Sequence, residues 1–187
     1  STDRSAEGIE SRWPGLHLLA LDRNLDFALA NNRGAAIARG EWLAFLNNDA
    51  FPQAAWLAEL VQAARNHPEF SFFSSQIVYA DPPGQVQSSG DMYHISGFAW
   101  PRDNHLDATQ ARRVGDEVFS PCAAAAFYKR KAFLDVNGFD EDFCSHLEDV
   151  DLGFRLRLRG HRCRYVPQAV VAHIGSASYG LESDHAV

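Results

Sequence analysis

Two patterns of apolar residues alternate along the first part of the chain. Continuous apolar runs predict strands at residues 16–21, Trp42–Leu46 and 70–79. The run Trp42–Leu46 is of the kind that is buried on both faces of a sheet. Helical spacing, bounded by polar residues, proline or glycine, predicts helices at residues 5–11, 27–39 and between Pro52 and Asn66.

This alternation predicts an α/β fold, with a mostly parallel sheet and helices on both faces. Residues 81–115 are rich in proline, glycine, serine and aspartate, which predicts loops or short antiparallel strands. With 187 residues, 46% of them hydrophobic, the chain can bury one substantial core, so residues 1–187 are expected to form a single domain. Sheets of this class bind ligands at the carboxyl ends of their strands.

Acidic residues are concentrated at the start of one later element. Glu148 and Asp149 precede residues 152–160, where arginines accumulate towards Gly160. Alternation of apolar residues there also fits a strand, but the charge order and the terminal glycine favour a helix with two buried sides. Carboxylates at the start of a helix can have different roles: backbone donors can orient one of them, and another can accept a proton from a substrate hydroxyl. Taken alone, these acids are better explained by helix capping and compensation of the helix dipole.

Two further candidates lie where predicted strands end. Asp49 follows the strand Trp42–Leu46, and His173 ends the apolar run at residues 170–172. A carboxylate and a neutral imidazole could share one divalent cation such as Mn²⁺ or Mg²⁺. An Asx-turn for Asp49 and an ordinary hydrogen-bonded histidine remain alternative interpretations of these two residues.

Charge and cysteine content exclude several classes of protein. The 17 basic and 24 acidic residues give a net charge of -7, which makes nucleic acid an unexpected partner. No apolar stretch approaches the roughly 20 residues that span a bilayer, and no signal peptide is expected. The three cysteines, Cys122, Cys144 and Cys163, are far apart and predict neither disulfides nor a zinc site, so a cytoplasmic location is expected.

Six segments, taken in order, resemble the inverting glycosyltransferases of family 2, which have the nucleotide-diphospho-sugar-binding GT-A fold. The resemblance is closest to rhamnosyltransferase-like bacterial members. The segments are NLDFALANNRG at 24–34, LNNDA at 46–50, PCAAAAFYKR at 121–130, NGFDEDF at 137–143, EDVDL at 148–152 and VAH at 171–173.

The resemblance implies a role for each candidate residue. Asp49 matches the last acid of the D-x-D-like motif that holds the metal, Mn²⁺ or Mg²⁺, on the donor diphosphate. His173 matches the later metal-binding histidine. Asp149 matches the catalytic base, and Glu148 is expected to support it or to contact the acceptor. The resemblance also places three residues at the donor: Asn32, Asn48 and Ala124.

The activity implied is metal-dependent, inverting transfer of a sugar, of the hexosyltransferase type. The donor would be a nucleoside diphosphate sugar and the acceptor a glycan or lipid-linked glycan, in bacterial cell-surface polysaccharide biosynthesis. The full-length protein would lie in the cytoplasm and could associate peripherally with the inner membrane. The alternative is a catalytically silent fragment that serves as a binding or structural module.

Three departures from the family pattern carry expectations of their own. Residues 1–3 match the tail of an early family motif, so the first strands are expected to be missing and the exposed sheet could self-associate as a homo-oligomer. Asp26 stands where the family usually has a glycine, at a position where a positive φ would be tolerated, and Ala123 also replaces a glycine.

Overall fold

The computed structural model describes residues 6–111, 114–143 and 146–175. The helices in these ranges are α1 (Ile9–Arg12), α2 (Asp26–Ile37), α3 (Trp56–Asn66), α4 (Arg130–Asp135) and α5 (Glu148–Leu158), with a 3₁₀ turn at Glu141–Phe143. The strands are β1 (Trp42–Leu46), β2 (Ala50–Pro52), β3 (Phe72–Tyr79), β4 (Val86–Ser88), β5 (Asp91–Tyr93), β6 (Ala99–Pro101), β7 (Glu117–Val118), β8 (Ala125–Lys129) and β9 (Cys163–His173). Residues 1–3, Ser5 and Cys144, which carry predictions from the sequence, lie outside the described residues.

A seven-stranded sheet forms the centre of the fold. Its main order is β1-β8-β3-β9-β2, with β4 beside β3 and β7 beside β9, while β5 and β6 form a separate pair. The α/β class is confirmed, but the expectation of a mostly parallel sheet is wrong. In the described chain only β3 and β9 pair in parallel, because β8 inserts between β1 and β3 and runs antiparallel to both. Apolar runs identify buried strands without stating their direction.

Helices cover both faces of this sheet, as predicted. Neighbouring residues of β3 point to opposite faces, so Phe72 packs with α2, α4 and α5 whereas Phe73 packs with α3. Both rings are fully buried. Burial of a phenylalanine side chain contributes about 1.5–3 kcal/mol, so this alternation along a central strand stabilises the two layers together.

Most predicted elements are present, with shifted ends. The helices α2, α3 and α5 and the strands β1, β3 and β9 form as expected, and the segment 81–115 contributes the short strands β4, β5 and β6. The predicted strand at residues 16–21 is wrong. No strand of the described chain pairs with this segment, and its leucines are 37–45% exposed, because an apolar run without a ladder partner leaves its backbone to water.

Two burial predictions are also corrected. The strand β1 is buried on one face only, since Leu43 and Phe45 are buried while Leu46 is exposed. The helix α5 buries one side, and Phe154 and Leu158 on the other side remain exposed. Both elements lie nearer the margin of the described fold than their apolar content suggests. Local composition cannot state how many neighbours an element has.

The end of α5 follows the predicted glycine cap. Gly160 has a φ of 84°, and its backbone NH donates to the carbonyl of Arg157. The NH of His161 donates to the carbonyl of Leu156. These two bonds form a Schellman motif, which satisfies carbonyls that the helix end leaves free.

Asp26 adopts the left-handed conformation that its glycine-like position suggested. Its φ is 56°, and its backbone NH donates to Oδ1 of Asn24 at 3.1 Å. Left-handed backbone costs an L-residue roughly 1–2 kcal/mol, less for aspartate, and costs glycine little. We therefore expect Asp26→Gly to exceed Asp26→Ala in unfolding free energy by about 1 kcal/mol, measured by urea denaturation. Equal stability of the two variants would contradict this.

Candidate active site

Asp49 and His173 are brought side by side by the pairing of β2 with β9. Ala50, which follows Asp49, lies opposite His173 in the antiparallel register. The backbone NH of Ile174 donates to the carbonyl of Asp49 at 3.1 Å. His173 Nε2 lies 3.2 Å from Asp49 Oδ1, and both side chains are at most 15% exposed. The expected closeness of these two strand-end residues is therefore confirmed.

This separation suits two ligands of one divalent ion. Neighbouring ligands in an octahedral shell, each about 2.1 Å from the ion, lie about 3.0 Å apart. Mn²⁺ accepts both carboxylate oxygen and imidazole nitrogen, whereas Mg²⁺ prefers oxygen. Within residues 6–111, 114–143 and 146–175, no group of three or more His, Cys, Asp or Glu side chains assembles as a metal site. The rest of a shell would therefore come from substrate or water oxygens.

Gln87 contacts the other nitrogen of His173. Its Oε1 lies 2.7 Å from His173 Nδ1. Sequence reasoning missed Gln87, because it lies in the segment 81–115, where no spacing or motif distinguishes one polar residue from another. Only the contact across the sheet identifies it.

The acid pair opens α5 as the sequence predicted. Asp149 accepts two backbone hydrogen bonds, from the NH of Ala123 to Oδ2 and from its neighbour Val150 to Oδ1, both at 2.8 Å. These bonds fix the direction of the carboxylate. Burial raises the pKa of Asp149 above its usual value, and the two backbone NH groups oppose that shift.

Glu148 differs from Asp149 in its surroundings. Its side chain is 6% exposed, and its Oε2 has no hydrogen-bond partner in the described structure. Burial, reinforced by the neighbouring charge of Asp149, raises the pKa of Glu148 to about 8. At neutral pH Glu148 therefore favours its protonated form, although backbone hydrogen bonds from Glu148 and His146 partly oppose this shift in pKa.

Asp91 adds a third carboxylate that sequence reasoning missed. It is the first residue of β5 and accepts a hydrogen bond from Ser120 Oγ at 3.2 Å. Burial raises the pKa of Asp91 well above its usual value, and the charges of Asp149 and Glu148 raise it further. The three acids thus interact electrostatically, and protons on some of them lower the repulsion within the group.

A short segment connects the acid pair to the metal-ligand candidates. Ala123 donates its NH to Asp149, and the carbonyl of the next residue, Ala124, accepts the NH of Asn47 at 3.0 Å. Asn47 begins the turn that contains Asp49. Asp149 and the turn that contains Asp49 therefore both hydrogen-bond to this short segment.

The remaining predicted donor contacts are placed differently. Asn48 is exposed in the turn, next to Asp49, whereas the methyl group of Ala124 is buried in the core. The side-chain amide of Asn32 hydrogen-bonds to the loop after α4. Its Nδ2 donates to the carbonyl of Phe139 at 2.8 Å, and its Oδ1 accepts a hydrogen bond from the NH of Phe139 at 2.9 Å. No described hydrogen bond joins Asn32 to Asp49 or His173. Asn32 therefore clamps two parts of the fold.

The fold has a close counterpart among solved structures. The crystal structure of GalNAc-T7 with UDP, GalNAc and Mn²⁺ superposes with a TM-score of 0.71, covering 92% of this chain and 35% of that chain at 14% sequence identity. The architecture described above is thus the GT-A fold, with a mixed sheet between helices.

The sequence comparison then identifies the family. Residues 1–136 match the family model described as glycosyl transferase family 2, and the chain belongs to this family. The predicted family resemblance is confirmed. The family model ends before Glu148, Asp149 and His173, so those residues lie outside its match.

Curated relatives extend the likeness beyond that match. The O-antigen biosynthesis protein RfbC of Myxococcus xanthus is 34% identical over 95% of this chain and 14% of its own length. The N-acetylglucosaminyl-diphospho-decaprenol L-rhamnosyltransferase of Mycobacterium tuberculosis is 30% identical over 97% of this chain and 66% of its own length. The chain thus spans less than two thirds of either relative. Among the described residues no helix has the length and apolar character to cross a membrane.

Proposed function

We propose that this domain transfers a sugar from a nucleoside diphosphate donor to a glycan or lipid-linked glycan acceptor, with inversion at the anomeric carbon and with help from a divalent metal. The observation that supports this most directly is the 3.2 Å approach of His173 Nε2 to Asp49 Oδ1. Membership of the family supports it as well, as does the acid pair Glu148 and Asp149, of which Asp149 accepts a hydrogen bond from Ala123.

Asp49 and His173 are the residues proposed to hold the metal. Mn²⁺ fits this mixed oxygen and nitrogen pair better than Mg²⁺, which prefers oxygen ligands. When bound, the ion would neutralise charge on the departing nucleoside diphosphate. Two protein ligands are enough for this role, because diphosphate oxygens complete the shell of such ions. Asn48, exposed beside Asp49, is proposed to contact the donor.

Asp149 is the proposed general base. As the acceptor oxygen bonds to the anomeric carbon, its proton passes to the Asp149 carboxylate and the bond from that carbon to the diphosphate oxygen breaks. The raised pKa of Asp149 makes it a better proton acceptor. Glu148 is protonated at neutral pH, so it is proposed to donate a hydrogen bond to Asp149 or to the acceptor.

The acceptor class rests on the relatives. Their names refer to O-antigen biosynthesis and to a diphospho-decaprenol-linked sugar as acceptor. We propose a role in bacterial cell-surface polysaccharide biosynthesis, at the cytoplasmic side of the inner membrane. A lipid-linked acceptor would bring the whole protein to that surface without a spanning helix in the described chain.

Calorimetric titration with UDP, dTDP and the corresponding nucleotide sugars tests the donor and metal parts of this proposal. We expect binding of one nucleotide series in the presence of Mn²⁺ and a loss of at least about tenfold in affinity with EDTA. Asp49→Asn should remove this metal-dependent gain, while Asn66→Asp, a substitution at the end of α3 on another part of the fold, should not. Metal-independent binding in both variants and the parent would contradict the metal role. No nucleotide binding at all would favour a catalytically silent module.

A further inference from the structure

We propose that Gln87 is a positioning residue that holds His173 in the tautomer able to bind a divalent cation through Nε2. This inference rests on the proposed function, because it assigns a purpose to the contact between Gln87 and the proposed metal ligand. None of the six segments that carry the family resemblance includes Gln87.

The tautomer follows from hydrogen-bond chemistry. A glutamine Oε1 can only accept, so a hydrogen bond of 2.7 Å between it and His173 Nδ1 requires a proton on Nδ1. In a neutral imidazole the other nitrogen then carries the lone pair. That nitrogen, Nε2, lies 3.2 Å from Asp49 Oδ1. In this tautomer two electron-pair donors, Nε2 of His173 and Oδ1 of Asp49, face the same point, which is the arrangement that a cation stabilises.

The backbone of β4 is built to present Gln87. The ladder between β3 and β4 pairs Ile77 with Ser88 and Val78 with Val86, so Gln87 has no partner and forms a bulge. Bulges redirect a side chain and occur often beside active sites. Val78 pairs on its other edge with Ala172 of β9, so β4 and β9 flank β3. The side chain of Gln87 therefore reaches His173 across the intervening strand.

Gly175 provides the space that the amide needs. A Cβ atom at this position would lie 2.9 Å from Gln87 Nε2, closer than side-chain carbons normally approach. Gly175 also has a φ of 72°, which an L side chain rarely adopts. The chain after His173 is thus compatible with the orientation of the amide in which Oε1 meets Nδ1.

The pairing resembles a general feature of metal sites. A histidine ligand usually donates its second NH to a carbonyl or carboxylate, which fixes the ring and raises the basicity of the ligating nitrogen. Loss of such a partner typically lowers metal affinity by about 10–100-fold. Gln87 would act only through His173, without touching the donor or the acceptor.

The test compares Gln87→Leu, which removes the acceptor but keeps the approximate size, with Gln87→Glu, which keeps an acceptor. Gln85→Leu is the matched control. Gln85 lies two residues before Gln87 in the chain, and its side chain faces His105 instead of His173. Two readouts are taken: the tautomer of His173 in metal-free protein, by long-range ¹H–¹⁵N correlation spectra, and Mn²⁺ affinity, by electron paramagnetic resonance of the free ion.

We expect the parent, Gln87→Glu and Gln85→Leu to show the Nδ1-H form, and Gln87→Leu to lose it. Mn²⁺ affinity should fall about 10–100-fold in Gln87→Leu and be kept by the other two. If folded Gln87→Leu keeps the Nδ1-H form, or the parent lacks it, the inference is overturned. If the parent shows the Nδ1-H form and Gln87→Leu loses it, but the parent does not bind Mn²⁺, the positioning of His173 stands and the proposed metal role fails.

Discussion

Asp149→Asn is expected to lower the turnover of sugar transfer by about 10²–10⁴-fold in the full-length protein, the range that removal of a general base produces. An amide cannot take the proton of the acceptor hydroxyl, so the variant loses stabilisation of the transition state and not of the bound donor. Donor affinity should stay within a few fold, because Asp49 and His173 are unchanged. Steady-state transfer assays and donor titration measure the two quantities separately.

The structure adds a requirement to this experiment. Both oxygens of Asp149 accept backbone NH groups, from Ala123 and Val150, and an asparagine can accept only one of these two bonds. Stability and donor affinity of the variant must therefore be measured with its turnover. Glu148→Gln is the matched comparison, since it removes the neighbouring acid without removing these bonds. Near-normal turnover in Asp149→Asn, with loss in Glu148→Gln, would reverse the assignment within the pair.

Glu148→Gln is expected to stabilise the protein at alkaline pH by roughly 4–5 kcal/mol, because each pH unit between the folded and unfolded pKa values of Glu148 corresponds to about 1.4 kcal/mol. The pKa of Glu148 is about 8 in the fold and near 4.5 in the unfolded chain, so folding favours the protonated acid. Its contribution to stability is fully present below about pH 4.5 and is lost as the pH rises through about 8. Glutamine stays neutral throughout. The variant should therefore match the parent near pH 4.5 and exceed it near pH 8.5, by urea denaturation at both pH values.

Asp91 and Asp149 also make the stability of the fold depend on pH, and Glu148→Gln leaves both of them in place. The pKa of each is also raised by burial, so the variant should keep part of the decline in stability with pH. The exposed Glu41 provides the control, because Glu41→Gln makes the same chemical change at a solvent-exposed position and should not reproduce the gain of Glu148→Gln at alkaline pH. An equal difference between Glu148→Gln and the parent at both pH values would show that Glu148 is ionised in the fold across this range.

The sequence was sufficient for elements and residues whose signal is local. The strand β1 and the helix α3 follow from apolar spacing and their boundaries, and Gly160 marks the end of α5. Asp49 and His173 are predicted from the sequence because Asp49 lies in the turn after an apolar strand and His173 ends another. The acids at the start of α5 were found because charge order along a helix is visible in a few consecutive residues.

The tertiary structure alone decided what depends on distant neighbours. It placed β8 between β1 and β3, which made the sheet mixed, and it left residues 16–21 without a partner strand among those described. It turned Asn32 towards Phe139 and brought Gln87 to His173 through a bulge. Strand direction, pairing and burial are set by contacts between segments far apart in the chain, and these contacts leave no periodic trace in the local sequence.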